Sequence, residues 1–449
     1  MSNFLFNEFE EVSSSAWKQK IQVDLKGADY NKTLLWHTNE GITVKPFYHQ
    51  DEMQEHQEIP INNWKAAQLI VVITEEESNT KAHDIISKGV EAIIFKISSE
   101  IDISTLLRGI DVDTIEFQFQ FTLLSKSMSE TLINLNLPNC FLNIDIIGNL
   151  AKTGNWHTSL KDDFKFIKNL VTAYPKQNIL SVDTTIYQNA GASITQQLAY
   201  AIAHANEYFN NFKDGDLPQI QFITATSGNY FFEIAKVRAL KLLYQTIYEA
   251  YSSKKSLCSI MSFPSNRNKT IYDYNVNMLR TTTECMSTIL GGANTICNLP
   301  YDHIYHNTND FGERIARNQL LVLKEESAFS AVKNPADGAY YIETLTTKLA
   351  EKALTIFKLI ETGGGFLQQL KEGTIQRKIK ESALKEQKQF DDGELVLLGT
   401  NKYPNKLDKM KNDLEKNPFL ERIERKTLIA PIAPRRLSEI SDKNRLEQE

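Results

Sequence analysis

Two histidines near residue 300 have the spacing of a metal site. His303 and His306 are three residues apart, and Asp302 and Asp310 lie close to them in the sequence. On one turn of a helix this spacing would place both imidazoles on the same side, where they could bind an ion such as zinc. The neighbouring Pro300 favours instead a loop that follows a buried strand. From the residues alone both interpretations stay open.

The remaining titratable candidates are explained by structural roles. His157 lies beside Trp156 in a polar loop, which is weak evidence for catalysis. Glu284, Glu325 and Glu326 fall in helical segments, where carboxylates are more often exposed or ion-paired than catalytic. We therefore predict no catalytic carboxylate pair among them.

Two arginines share one predicted helix. Arg314 and Arg317 are three residues apart in a helix that should begin near Phe311. Glu313, in the first turn, complements the positive end of the helix dipole. Structural pairing explains both arginines, so neither is assigned to a site.

Glycine clusters can cradle phosphates, but here they follow helices. Gly363, Gly364 and Gly365 come after the predicted helix 345–361 and not after a strand, and no Gly-Lys-Ser/Thr string follows. The pair at 291–292 likewise follows a helix that ends at 290. We predict helix ends at both places and no nucleotide-binding fingerprint.

Composition excludes several classes of protein. The 449 residues, 41% of them hydrophobic, are enough to bury a large core. With 50 basic and 56 acidic residues and no basic stripe, the chain lacks the footprint of a nucleic-acid-binding protein. No apolar run approaches the roughly 20 residues needed to span a bilayer, and the first residues do not resemble a leader. We expect a cytoplasmic protein that contacts neither nucleic acid nor membrane.

The cysteines fit a reducing compartment. They are scattered without any Cys-x-x-Cys pair, which predicts free thiols in the core and neither disulfides nor a zinc site. Their positions are Cys140, Cys258, Cys285 and Cys297.

The elements that must position these groups alternate between strand and helix. Between residues 115 and 123, apolar and polar residues alternate at period two, which predicts a strand with one buried face. Helical stripes separate such runs, so we predict an α/β fold, a (β/α)8 TIM barrel. A doubly wound open sheet, built from the same βαβ unit, is the alternative. The other predicted strands are 69–74, 92–97, 141–147, 179–185, 220–225, 257–261 and 295–299.

Two appendages flank the predicted barrel. Residues 1–50 carry too many aromatic side chains for a solvated tail and are interpreted as an N-terminal extended arm. Residues 51–400 would form the barrel domain. In residues 401–449, the two prolines at 431 and 434 and the surrounding charge predict an extended C-terminal strap.

Several ordered strings resemble the methylmalonyl-CoA mutase family. The resemblance is close over residues 17–46 and 181–345 and weak between them; examples are Gln-Asn-Ala-Gly-Ala at 188–192 and Arg-Ile-Ala-Arg-Asn at 314–318. It implies a barrel whose N-terminal arm wraps a partner subunit and, in catalytic members, a further domain that holds adenosylcobalamin. Other matching strings lie at 36–46, 231–239, 279–282, 290–292, 325–327, 334–338 and 340–343.

The sequence departs from catalytic members of the family where their chemistry takes place. Their Tyr-His pair before the Gln-x-Ala-Gly-Ala string is replaced by Thr185 and Ile186, which can neither steer a radical nor polarise a thioester. Their Arg-Thr-His-Cys-Gln-Thr string aligns with residues 259–264. We predict that Ile186, Met261 and Phe263 fill the mouth of the barrel with apolar side chains.

The cobalt-binding pattern of the family is also missing. None of the eight histidines lies in an Asp-x-His-x-x-Gly string, and residues 435–439 resemble the end of the barrel region. The resemblance therefore implies that the cobalamin domain is absent, and we expect no catalytic, cofactor-binding or metal-binding residue in this chain.

The implied function is that of a non-catalytic small subunit in a heterodimeric mutase. A large catalytic subunit would bind adenosylcobalamin and the acyl-CoA and interconvert methylmalonyl-CoA and succinyl-CoA, while this chain supports it. One alternative is the catalytic barrel of a split acyl-CoA mutase that works with a separate cobalamin-binding protein. A free-standing binding barrel without a mutase partner is a third possibility.

Overall fold

The computed structural model describes residues 8–53, 59–60, 63–212, 217–253, 256–420 and 425–449. In chain order the strands are β1 (Trp36–His37), β2 (Thr43–Val44), β3 (Lys65–Val71), β4 (Ala92–Ile97), β5 (Glu116–Phe121), β6 (Cys140–Ile144), β7 (Asn178–Asp183), β8 (Ile220–Thr226), β9 (Ser259–Pro264) and β10 (Thr295–Cys297).

Helices separate the strands and cover the outside of the sheet. The first eight are α1 (Ser14–Asp24), α2 (Tyr30–Leu34), α3 (Glu75–Ser87), α4 (Ile103–Leu106), α5 (Lys126–Asn134), α6 (Ile146–Thr153), α7 (Leu160–Ala173) and α8 (Thr185–Asn189). The others are α9 (Ile194–Phe212), α10 (Tyr230–Glu249), α11 (Val276–Gly291), α12 (Asp310–Leu321), α13 (Tyr340–Thr362), α14 (Phe366–Lys371), α15 (Thr374–Asp391) and α16 (Glu439–Gln448).

Strands β3 to β10 close into a parallel barrel. Neighbouring strands pair in sequence order, and β10 closes the ring by pairing with both β9 and β3. This confirms the predicted TIM barrel and excludes the open sheet. The predicted strands are all present, although β3 begins at Lys65 and not at Leu69, because Lys65 and Ala66 pair with β10.

Along each strand of the barrel, side chains alternate between an outer core and the barrel axis. On β5, Phe117 and Phe119 pack into the large outer core against the helices. Glu116 and Gln118 alternate with them and are also buried, so they point towards the axis. The polar face of this strand is therefore buried inside the barrel.

The barrel axis has two chemically different sides. Strands β3, β4, β9 and β10, with Ile223 of β8, provide an apolar cluster that we call the apolar side. Strands β5 to β8 provide buried polar residues that we call the polar side. The apolar side consists of Ala67, Leu69, Ala92, Ile94, Ile223, Met261, Phe263 and Cys297, and the polar side of Glu116, Gln118, Asn143, Ser181 and Gln221.

Glycines and cysteines have the structural roles predicted for them. Gly292 ends α11 in the left-handed region, at φ +90°, where a side chain would be strained. The three glycines at 363–365 form the turn between α13 and α14. All four cysteines are buried free thiols.

The segment before β3 contacts the barrel unevenly. Helix α1 has no buried residue, whereas the chain around β1 and β2 packs onto the barrel helices. Both carboxylate oxygens of Glu40 accept hydrogen bonds from the first backbone N–H groups of α9, at 2.9 and 2.8 Å. Glu40 thereby caps a helix that lies far away in the sequence.

None of the helices in the described ranges is long and apolar enough to cross a membrane.

Candidate functional site

Ligand sites of TIM barrels lie at the carboxyl-terminal ends of the strands, so this face is the candidate site. Helix α8 begins directly after β7, and the backbone N–H and hydroxyl of Thr185 donate hydrogen bonds to Asp183, at 3.0 and 2.6 Å. Ile186 is 8% exposed and packs in the outer core. The prediction that Ile186 fills the barrel mouth is therefore wrong, because the helical turn after β7 directs its side chain outward.

The β9 residues occupy the interior as predicted. Met261 is fully buried in the apolar side, and Phe263 packs against the same cluster nearer the carboxyl end. Ser262, between them in sequence, donates to or accepts from Thr226 on the neighbouring strand, at 2.9 Å. Two bulky side chains of one strand thus occupy the axis on this side.

Two titratable groups at the carboxyl end were missed by sequence reasoning. Lys96 is the penultimate residue of β4 and Asp183 ends β7, and both alternate with residues of the outer core, so they lie on the axial face. Burial lowers the pKa of Lys96 and raises the pKa of Asp183. A charged residue at the last inward position of a strand is the signal that could have found them.

A second hydrogen-bonded group is buried behind β6 and β7. The Nε2 atom of His204 lies 2.9 Å from Asp145 Oδ1, and its Nδ1 atom lies 2.9 Å from the Tyr187 hydroxyl. The hydroxyl of Tyr208 donates to the same carboxylate oxygen at 2.7 Å. Burial alone would raise the pKa of Asp145, but the charge and hydrogen bond of His204 outweigh it and lower that pKa.

This group links elements and does not face a substrate. His204, Tyr187 and Tyr208 are fully buried, and His204 stacks on Phe366 with ring centroids 5.6 Å apart. The Asp145 carboxylate also accepts bonds from two backbone N–H groups, of Gly148 and Asp183. It therefore fixes the ends of β6 and β7 to α9.

The two histidines near residue 300 lie in the loop after β10. His303 contacts the Pro300 carbonyl through Nδ1 at 2.7 Å and the Asn266 side chain through Nε2. His306 contacts Asp302 through Nδ1 at 3.1 Å and the Asp413 carbonyl through Nε2 at 2.9 Å. Over the described ranges, no three metal-ligating side chains come together. The loop interpretation is confirmed, and the imidazoles join separate segments.

The other candidates have structural partners. Glu284 is buried with Lys269, 2.8 Å away, and burial raises the pKa of this carboxyl. Arg317 donates at 3.0 Å to Gln68, whose side chain points outward from β3, and Arg314 lies over the Phe311 ring. Of the remaining candidates, Glu325 and Glu326 are exposed, and His157 donates its backbone N–H to Asp163.

The C-terminal segment, within residues 401–449, crosses the candidate face. Its backbone N–H groups bond to carbonyls in the helices and loops that follow β6, β7 and β9, and residues 415–416 bond to the loop after β10. Arg436 pairs with Asp442 in a buried contact that holds the segment in place. The three crossing bonds are Ile432 to Ala151 at 2.8 Å, Arg435 to Asn189 at 2.9 Å and Leu437 to Arg267 at 2.8 Å.

Two cavities lie at opposite ends of the barrel. One of about 660 Å³ lies beside the C-terminal segment, between Glu40 and the loops after β7 to β9, and includes Arg267 and Glu284. The other, of about 530 Å³, lies at the amino-terminal end and includes Lys65 and Lys241. Neither cavity is lined by Lys96 or by the His204 group.

Similar sequences belong to methylmalonyl-CoA mutases. The sequence model described as methylmalonyl-CoA mutase matches residues 96–436. A protein named methylmalonyl-CoA mutase small subunit, from Porphyromonas gingivalis, is 34% identical, over 89% of this chain and 71% of that protein. A methylmalonyl-CoA mutase from Cereibacter sphaeroides is 28% identical, over 86% of this chain and 64% of that protein.

The similarity extends to mitochondrial proteins. The human methylmalonyl-CoA mutase is 27% identical, over 86% of this chain and 60% of that protein. The chain thus spans less than two thirds of the length of the Cereibacter and human relatives. Among solved structures, a flavocytochrome b2 variant aligns with a TM-score of 0.31 and 9% identity.

Proposed function

The chain belongs to the methylmalonyl-CoA mutase family, and from this membership we propose that it is the non-catalytic small subunit of a heterodimeric, cytoplasmic mutase. The large subunit would bind adenosylcobalamin and the acyl-CoA and interconvert methylmalonyl-CoA and succinyl-CoA. Proteins of this family are isomerases. The contribution of this chain would be to stabilise the catalytic subunit by binding its folded state.

The end of β7 carries the proposal. Catalytic members of the family have a Tyr-His pair where this chain has Thr185 and Ile186. The Thr185 hydroxyl is bonded to Asp183, and Ile186 is packed in the outer core. At these two positions there is neither an aromatic hydroxyl nor an imidazole to contact a thioester.

The residues near the candidate face do not fit the cobalt of adenosylcobalamin, the cofactor that this family uses. His204 is fully buried, and both ring nitrogens of His303 and of His306 lie within hydrogen-bond distance of protein polar groups. A cobalt ligand needs a free imidazole nitrogen. We therefore assign cofactor binding to the partner subunit.

The N-terminal residues supply a candidate contact for that partner. Helix α1 has no buried side chain, and Val12 and Val23 beside and within it are 57% and 72% exposed. Trp17 of the same helix stacks on Phe47 at 4.3 Å and keeps nearly half of its surface exposed. Burial of this surface in an obligate interface would remove it from water.

Co-expression with a mutase large subunit tests the proposal. We expect both chains to elute together in size exclusion and to turn over methylmalonyl-CoA with adenosylcobalamin. The double variant Val12→Ser/Val23→Ser should weaken assembly, whereas the matched control Leu359→Ser/Leu384→Ser, at 67% and 59% exposure outside the arm, should not. Separate elution of the unmodified chains would contradict the heterodimer.

One observation is compatible with the split-mutase alternative. Lys96 and Asp183 are titratable groups on the axial face at the carboxyl end. If the barrel were catalytic, mixing this chain with a stand-alone cobalamin-binding protein, adenosylcobalamin and methylmalonyl-CoA would give turnover that Lys96→Met abolishes. Turnover above background in this assay would overturn the non-catalytic assignment.

A further inference from the structure

Three neighbouring strands direct unpartnered polar atoms at one part of the barrel interior. Asn143 on β6, Ser181 on β7 and Gln221 on β8 are 7%, 0% and 3% exposed. In the described part of the chain, nothing bonds to Asn143 Oδ1, Ser181 Oγ or either polar atom of the Gln221 amide. A buried polar atom without a partner is costly, and such atoms are rare in folded proteins.

The three side chains lie on the axial face. On β8, Ile220 and Phe222 pack in the outer core, so Gln221 between them points inward. On β7 the same alternation places Ser181 between two outer residues, and Ser181 is the register partner of Gln221. Asn143 donates its Nδ2 to the axial Gln118 at 2.8 Å. The unpartnered atoms therefore face a common region.

The backbone of β6 is distorted at the residue that faces this region. Asn143 has φ +47°, in the left-handed region that residues other than glycine seldom adopt. The pairing register of β6 with β7 also shifts between Phe141 and Ile144, as in a β-bulge. Such distortions re-aim side chains and concentrate at binding sites. Here the distortion accompanies an amide that points into the interior.

The rest of the polar side is already paired within the protein. The Gln118 amide donates to Glu116 at 2.8 Å, and the other Glu116 oxygen lies 3.2 Å from Lys65. Thr295 of β10 donates to Glu116 from across the barrel interior. The network is thus satisfied towards the amino-terminal end and ends in unpartnered atoms at Asn143, Ser181 and Gln221.

We propose that this region is an internal hydration site, in which ordered water bridges Asn143, Ser181 and Gln221. Water can donate and accept, so it matches a carbonyl oxygen, a hydroxyl and an amide at once, and a buried water makes about three hydrogen bonds. A larger ligand does not fit this interpretation, because an eight-stranded barrel is just wide enough for its own side chains. The apolar side already contributes Met261 and Ile94 to the same axis.

Oxygen-17 relaxation dispersion of the isolated chain tests the site, because it counts water molecules that stay bound for long times. Gln221→Met keeps the length of the side chain and removes both unpartnered atoms. We expect this variant to lose long-lived water and its urea midpoint to fall, because the water loses partners. The matched control Thr226→Val removes a buried hydroxyl whose partner is Ser262, and should leave the water count unchanged.

A barrel interior without ordered water predicts the opposite result. If these atoms had no partner, Gln221→Met would leave the water count unchanged and raise the urea midpoint, which would overturn the proposal. Should that variant not fold, Ser181→Ala makes a smaller change and should still lower the count. A crystal structure that shows the three side chains bonded directly to one another, or to an organic ligand, would also overturn it. Neither readout depends on mutase activity or on a partner.

Discussion

The two sides of the barrel axis are both largely buried but are stabilised in different ways. On the apolar side, Met261, Ile94 and Cys297 need only to fill space. On the polar side, Gln118 and Glu116 need partners with defined geometry. Burial alone therefore does not fix the chemistry of a barrel interior, and the two sides should respond differently to substitution.

The largest effect should come from making the apolar side polar. Ile94→Asp places a carboxylate among apolar side chains in a fully buried position. We expect the free energy of unfolding to fall by more than about 4 kcal/mol, because the charge has no partner there. Urea unfolding measures it, with Ile94→Val as the control at about 1 kcal/mol. A carboxylate tolerated here would remove the distinction between the two sides.

Removal of volume should cost less than insertion of a charge. Met261→Ala leaves a cavity in the apolar side, and we expect a loss of about 2–4 kcal/mol in urea unfolding. Met261→Leu, which keeps the volume, should cost less than about 1.5 kcal/mol. Equal losses for both substitutions would mean that space filling does not govern this side.

On the polar side, loss of an acceptor should matter more than loss of volume. Glu116→Leu removes the acceptor of Gln118, Thr295 and Lys65. We expect a loss of about 1–3 kcal/mol from the buried donors left without a partner. Glu116→Gln keeps one acceptor oxygen and should cost less. If Leu were the milder substitution, the polar side would depend on packing after all.

The smallest effects should come from the rim of the barrel, where the pKa values of two histidines are shifted in opposite directions. Burial lowers the pKa of His303 to about 4. The stability that this histidine contributes is therefore present above the unfolded pKa of about 6.5 and is lost as the pH falls towards 4. Burial would also lower the pKa of His306, but Asp302 and Asp413 outweigh it and raise that pKa. The stability that His306 contributes is present below about pH 6.5 and is lost as the pH rises through the pKa of His306 in the folded protein.

Urea midpoints between pH 4 and 8 check these signs. His306→Gln should remove the loss of stability that sets in above about pH 6.5 and leave the loss on the acid side. Lys416 also interacts with Asp302. If His306 causes the loss of stability at high pH, this loss should persist in the variant Lys416→Met. An unchanged high-pH profile in His306→Gln would assign that loss to another group.

The sequence predicts the barrel because its strands and helices have clear periods, but it does not tell which face of a strand is axial. The polar face of β5 would ordinarily be expected to meet solvent, yet Gln118 is fully buried. Ile186 was misplaced for a related reason, since a helical turn after β7 reverses the direction that strand alternation implies.

Contacts between distant residues were also beyond sequence reasoning. His204 and Asp145 are 59 positions apart by their numbers and meet because α9 packs against β7, next to the end of β6. Lys269 and Glu284 form a buried pair across a loop and a helix, and Lys96 and Asp183 come from different strands. Periodicity gives no information on such pairings, which depend on how the barrel closes.

The C-terminal segment has a consequence for the order of folding. Its bonds to residues 151, 189 and 267 join parts of the chain that are synthesised far apart in time, and contacts of such long separation form slowly. Because this segment follows all eight barrel strands in the chain, the strands can assemble while the rim is still open, and its closure would then be a late kinetic phase. Leu428 bonds to Asn155 at 3.1 Å, and the adjacent Trp156 packs on the outer core, so its fluorescence would respond to that phase as well as to barrel formation.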